Sequence, residues 1–140
     1  MSIKIPTLSE VTMLEMILSQ QMTLRLYTND VTPADEHTAA SFTEMTGLNY
    51  AAKTLLPDHW DFVSGEEAQA VYQALQQYIF TQGIPIKVYG YVVTRNLDDK
   101  LMWAERFIPA GTTPIDYFVV GNANGDKIEF YPSFSFRGRN

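Results

Sequence analysis

The chain has 140 residues, 46% hydrophobic, 19% charged and 13% aromatic, which is the composition of one ordinary globular domain with enough material for a real core. The absence of cysteine excludes disulfides, thiol nucleophiles, iron–sulfur clusters and cysteine-based zinc sites. Ten basic against 16 acidic residues leave a net charge of −6, which repels phosphate and disfavours nucleic acid as a partner.

The first element is a helix from Thr7 to about Ser19. Thr7 or Ser9 can cap it, Glu10 places a carboxylate in its first turn, and Val11, Leu14, Ile17 and Leu18 recur at helical spacing. Met13 and Met16 widen the apolar stripe. A short helix of that kind must pack on something, either its own domain or a neighbouring subunit. Residues 1–20 therefore read as an N-terminal helical arm and residues 21–140 as the main domain. The start of the chain has no apolar run of signal-peptide length and no run long enough to cross a bilayer, so the expectation is a soluble protein with no membrane partner.

From Met22 the period changes to two. Met22, Leu24 and Leu26 alternate with Thr23, Arg25 and Tyr27 as a strand with one face in the core. Pro33 and its polar neighbours make a turn-rich connection. Short strands are expected around Phe42, over Tyr50–Leu55 and over Trp60–Val63. Between Glu66 and Thr81 the composition favours helix, with Val71, Leu75 and Ile79 at i, i+4, i+8. Ala70, Tyr72, Ala74, Gln76, Tyr78 and Phe80 instead share the parity of a strand. Both remain open, with strand preferred from Val71 to Thr81. Ile86–Arg95, Leu101–Ile108, Ile115–Val120 and Lys127–Phe136 read as strands, and the Asn124-Gly125 pair reads as a hairpin turn. The fold class is all-β: a jelly-roll-like β-sandwich with a short N-terminal helix.

Chemistry-bearing constellations are sparse. Glu66-Glu67, Asp35-Glu36 and Asp98-Asp99 are adjacent acids, better suited to solvation than to paired acid–base work. Glu105, between Trp103 and Phe107 on one strand face, is the acid with apolar surroundings; an ion pair to a cross-strand arginine such as Arg95, or an edge position, is its simpler reading. His37 and His59 lack the spacing of a zinc site, and Asn122, Asn124, Asp126 and Glu129 lack the length and terminal glutamate of a calcium loop. No nucleophile elbow and no phosphate-binding glycine loop occurs. The expectation is a protein with no catalytic residue, cofactor or metal. Eight Tyr, eight Phe and two Trp suit a core, with Trp60, in a polar stretch, the first aromatic expected at the surface.

Charge is uneven along the chain. Residues 1–70 hold three basic and ten acidic side chains, residues 71–140 seven basic and six acidic, and the chain closes on Arg137, Gly138, Arg139 and Asn140.

Several segments together carry a family likeness. They are the arm with Met13, Leu14, Ile17 and Leu18; the run from Leu24 to Pro33; Val88 to Thr94, followed by Leu101, Trp103, Ala104, Glu105, Arg106 and Phe107; and Gly125 to Ile128 with Pro132 and Phe134. The chain resembles the jelly-roll cement, or decoration, proteins of tailed bacteriophage capsids. Glu66–Thr81 departs from their pattern, having Gln and Ala where they are rich in Thr and Phe. The resemblance implies a non-enzymatic virion protein, made in the host cytoplasm and placed on the outer capsid surface. Its implied partners are the major capsid protein and further copies of itself, as dimer or trimer. Met13, Leu14, Ile17 and Leu18 would then pack on a partner subunit, and Arg137 and Arg139 would pair with acids of the shell. The alternative is a receptor- or carbohydrate-binding sandwich of a tail fibre or baseplate, working through exposed aromatics such as Trp60.

Overall fold

The structure is a computed structural model that describes residues 6–63 and 68–135. Helix α1 spans Thr7–Ile17. Pro6, not Thr7 or Ser9, occupies its N-cap without a side-chain bond, and the Pro6 carbonyl accepts from Glu10 N at 3.0 Å. At the other end Leu18 N donates to Leu14 O at 2.9 Å, Ser19 Oγ to Met16 O at 2.7 Å and Gln20 Nε2 to Ile17 O at 3.0 Å. Carbonyls that would otherwise lack partners are thereby satisfied, and the helix stops.

Eleven strands follow among the described residues: β1 Met22–Tyr27, β2 Lys53–Leu55, β3 Trp60–Val63, β4 Gln69–Tyr72, β5 Gln76–Ile79, β6 Ile86–Val88, β7 Gly90–Arg95, β8 Leu101–Arg106, β9 Phe118–Val120, β10 Lys127–Phe130 and β11 Ser133–Ser135. They form an all-β, sandwich-like body of four sheets, with orders β2-β1-β7-β8, β11-β4-β3, β10-β5 and β6-β9. All pairings are antiparallel. Met22 faces Arg95 and Tyr27 faces Gly90 across the central pair, and Tyr91 faces Glu105 on the next.

The period-two pattern of β1 places Met22, Leu24 and Leu26 in the core beside Leu55, Trp60, Tyr72, Tyr78, Phe80 and Tyr91. Each such side chain contributes about 1.5–3 kcal/mol by leaving water. Leu14 and Leu18 belong to the same cluster, and α1 contacts β3 and β4. The helix thus closes the core of its own domain, which corrects the expectation that Leu14 and Leu18 pack on a partner subunit.

A second cluster, Tyr27, Phe42, Tyr89 and Val92, covers the opposite face of the four-stranded sheet. It explains the continuous burial of β7 from Gly90 to Thr94, since a strand covered on both sides loses its polar alternation. Phe42 reaches this cluster from a single 3₁₀ turn at Ala39–Ser41, where a strand was expected. Thr38 and Ser41 cap that turn reciprocally, and the Phe42 ring lies edge-on to Tyr27 at 4.8 Å. Gly90 is required beneath it, because a β-carbon there would overlap the Glu105 carbonyl and the Tyr27 ring.

Between residues 69 and 80 the strand parity prevails over helical propensity: Ala70, Tyr72, Gln76, Tyr78 and Phe80 are buried, whereas Leu75 and Ile79 are exposed; Ala74, of the inward parity, is exposed because the strand is broken there. The run is nevertheless two strands in two sheets, broken at residues 73–75. Tyr89 likewise divides the expected 86–95 strand. Asn124-Gly125 does not join a hairpin, because β9 pairs with β6 and β10 with β5. The turn is instead tied to the segment after β5: Gly125 N donates to Phe80 O at 2.9 Å, Phe80 N to Asp126 O at 2.7 Å and Gln82 N to Asn124 Oδ1 at 2.7 Å.

Candidate functional site

The residues expected to meet a partner separate in the structure. Leu14 is fully buried and Leu18 nearly so, whereas Met13 and Met16 are 40% and 70% exposed; Ile17 is half-buried against the core. The solvent side of α1 thus carries two methionines beside Thr12 and Glu15, and methionine's flexible thioether chain suits adaptable contacts. Arg137 and Arg139 lie outside the described residues. Further apolar side chains stand at turn tips, with Ile84 86% and Leu97 83% exposed, and Tyr131 is exposed beside β10.

Trp60 is not at the surface. It is 5% exposed, packed edge-on against Tyr72 at 5.0 Å and Trp103 at 5.9 Å. Sequence reasoning misplaced it because its polar neighbours His59 and Asp61 flank a side chain that alternates inward at the start of β3. Trp103 continues the stack to Phe134 at 4.8 Å. Neither indole N–H finds an acceptor among the described residues. The Trp103 ring lies near enough to the Tyr91 hydroxyl to favour its ionised form, yet misses hydrogen-bond geometry. Burial still dominates at Tyr91 and pushes its hydroxyl well above the ordinary range.

The acids are dispersed. Arg95 does not pair with Glu105; it binds Asp98 through Nε and Nη2, both at 2.7 Å, and these bonds hold the Asp98 carboxyl down at about 2. Glu105 is on the surface, and partial desolvation by its neighbours raises its pKa. Of the loop oxygens considered for calcium, Asp126 Oδ2 accepts from Gly121 N at 3.0 Å and Ala123 N at 3.1 Å, Asn124 Oδ1 from Gln82 N at 2.7 Å, and Glu129 Oε2 from Gln77 Nε2 at 2.8 Å. His37 Nδ1 accepts from Ala34 N at 3.0 Å, and His59 Nδ1 lies 3.2 Å from the Tyr72 hydroxyl. Among the described residues no three metal-ligating side chains converge, and no helix is long and apolar enough to cross a membrane.

Two arginine constellations escaped the sequence reading. Arg106, with its side chain 4% exposed, binds Asp30 Oδ1 at 2.7 Å, Asp116 Oδ2 at 3.2 Å and the Ile108 carbonyl at 2.9 Å. It also lies over the Tyr89 ring at 5.0 Å. It fastens the connection after β1 and the loop before β9 onto the end of β8. Its partners are far apart in sequence, so spacing alone could not reveal it.

The second constellation lines a cleft of about 270 Å³ between β1, β7 and the Ala39–Glu44 segment. Tyr27, Ala39, Phe42 and Val92 line it together with Arg25, Glu44, Thr94 and Asp99. Arg25 Nη1 donates to Glu44 Oε1 at 3.0 Å and Oε2 at 3.2 Å. The Tyr50 hydroxyl donates to Glu44 Oε2 at 2.8 Å while accepting from Leu26 N at 3.2 Å. Burial first, then that bond to Glu44, raises the Tyr50 pKa, so Tyr50 stays a donor. Arg25 was legible in the sequence as an outward-facing residue of β1; its partners come from three other segments.

No protein-family model, no curated protein and no solved structure matches the chain.

Proposed function

We propose that this protein is a non-enzymatic virion structural protein, a cement protein that binds the outside of a phage capsid and strengthens contacts between major capsid subunits. Its partners in this reading are the major capsid protein and further copies of itself. The observation that supports it is the exposure of large apolar side chains, Met13 and Met16 on the helix and Ile84 and Leu97 at turn tips, on a body whose core is closed without them. Met13 and Met16, three residues apart on one helix, neighbour each other on its surface and suit burial in a protein contact. Many weak copies on a symmetric shell add up through multivalency. Jelly-roll topology and shell contacts by Arg137 and Arg139 belong to the same proposal. The tail-fibre reading loses its chosen aromatic, since Trp60 is buried.

Because Leu14 and Leu18 fill the core, deleting the arm would report on folding rather than on docking. The surface substitutions Met13→Ser and Met16→Ser separate the two. With the protein added to capsids that lack it, the double variant is expected to keep its thermal midpoint and lose at least about tenfold in occupancy at subsaturating concentration. Occupancy equal to that of the unsubstituted protein would remove the helix face from the interface.

A further inference from the structure

We propose that strand β9 is a self-association edge, on which the Phe118–Val120 strands of two copies pair antiparallel about a two-fold axis at Val119. The sheet β6-β9 has two strands, so β9 turns one backbone edge away from its partner. Alternate residues of a strand point their N–H and C=O to that side, which makes it a template for another strand. Proteins guard such edges with charged or polar side chains. Among the described edge strands, β2, β3, β6, β8 and β10 each carry a charged residue, while β5 and β11 carry glutamines or serines. Only β9 consists entirely of apolar residues, and Phe118 and Val119 are 40% and 37% exposed.

Two-fold symmetry makes this edge complementary to itself. Val119 on the axis faces Val119 of the second copy, and Phe118 faces Val120. Where the outward groups belong to Val119, each Val119 N–H meets the other's carbonyl; where they belong to Phe118 and Val120, those two residues exchange the bonds instead. Donors meet acceptors in either parity, and two β6-β9 ladders become one four-stranded sheet. The two Val119 side chains then stand about 4.5–5.5 Å apart on one face and cover each other. Lys87, opposite Val119 within each copy, lies three strand spacings from its counterpart, about 14 Å, which exceeds the screening length of about 8 Å at physiological salt. Ile86 pairs with Val120, so the exposed Ile84 lies beyond the end of β9 and the exposed Ile115 just before its start. Antiparallel pairing brings Ile115 of each copy to the end where Ile84 of the other stands. An unrelated strand could match the hydrogen bonds, but a second copy also supplies an apolar residue at each of these places. The contact specifies where copies of this chain meet and does not depend on a capsid, because it forms in solution.

The test is sedimentation velocity of the full chain from about 10 µM to about 1 mM, at about 0.15 M salt. An interface this small is expected to give a monomer–dimer equilibrium with a Kd on the order of 0.1 mM. Val119→Lys sets like charges opposite each other on the axis and should raise that Kd at least about tenfold, while its exposed position leaves the thermal midpoint nearly unchanged. Ile79→Lys, at an exposed apolar residue of β5, should leave the Kd as it is. In the unsubstituted protein, hydrogen exchange at the outward-facing amides of β9 should slow between the lowest and highest concentrations, a readout that needs no variant. A monomer throughout the range, exchange independent of concentration, or a Val119→Lys protein that dimerises as well as the unsubstituted one overturns the proposal. Equal dissociation by Ile79→Lys overturns it too, by showing a contact that is not specific to β9. No capsid is present in these measurements, so their failure is distinct from a failure to bind the shell.

Discussion

Two surface carboxyls show how local surroundings set opposite pH dependences. Asp98 is held at about 2, chiefly by its hydrogen bonds from Arg95. Its contribution to stability is present above the ordinary carboxylate range and is lost as pH falls through that depressed value. Glu105 is shifted the other way, because desolvation opposes its charged form. The folded state then holds the proton more tightly than the unfolded chain, so stability falls as pH rises through the raised pKa. Glu105→Gln is therefore expected to raise the thermal midpoint at about pH 7 and to leave it unchanged at about pH 3.5, where the carboxyl is protonated in both states. An equal shift at both pH values would place the effect in packing rather than in charge. Arg106 differs in kind, its guanidinium being buried while Asp30 stays largely in water. Its worth lies in the five-donor fork that reaches two loops and a carbonyl at once.

At the scale of elements, α1 is divided between a structural and an exposed face. Leu14→Ala removes a fully buried side chain and should cost about 2–5 kcal/mol in chemical denaturation. Met16→Ser, on the solvent side, should stay within about 0.5 kcal/mol. Similar costs for both would contradict the docking described for the helix. Helical spacing made Leu14 and Leu18 legible as an apolar stripe, but not what covers them, because a stripe has the same pattern whether it meets its own sheet or another molecule. The inward parity of β1 and of residues 70–80 was legible for the same reason, since period two is set by the pleat. Breaks at residues 73–75 and at Tyr89, and the pairing of β9 with β6 instead of β10, were not legible. They depend on which strands lie opposite in space, and a local turn cue such as Asn124-Gly125 carries no such information. The cleft at Arg25 was hidden likewise, its walls coming from β1, β7, the 3₁₀ turn and the loop after β7.

At the scale of the whole molecule, the four-stranded sheet is covered on both faces, by the main core on one side and by the Phe42 cluster on the other. The large apolar side chains left exposed lie on the helix and at turn tips and also on strands, among them Val63, Ile79, Phe118 and Val119. A domain that docks without refolding loses little conformational entropy, which suits the cement role proposed above. The acidic excess of residues 1–70 and the slightly basic balance of residues 71–140 give the chain two unlike portions that can complement one another electrostatically. The central claim is the cement role, and a cryo-EM reconstruction of virions that carry this chain tests it most directly. The account predicts density of this fold on the outer surface of the head, at symmetry-related positions bridging major capsid subunits, with the Met13 and Met16 face of α1 in a contact. Density confined to the tail, or no density of this fold on the outer surface of the head, would contradict it.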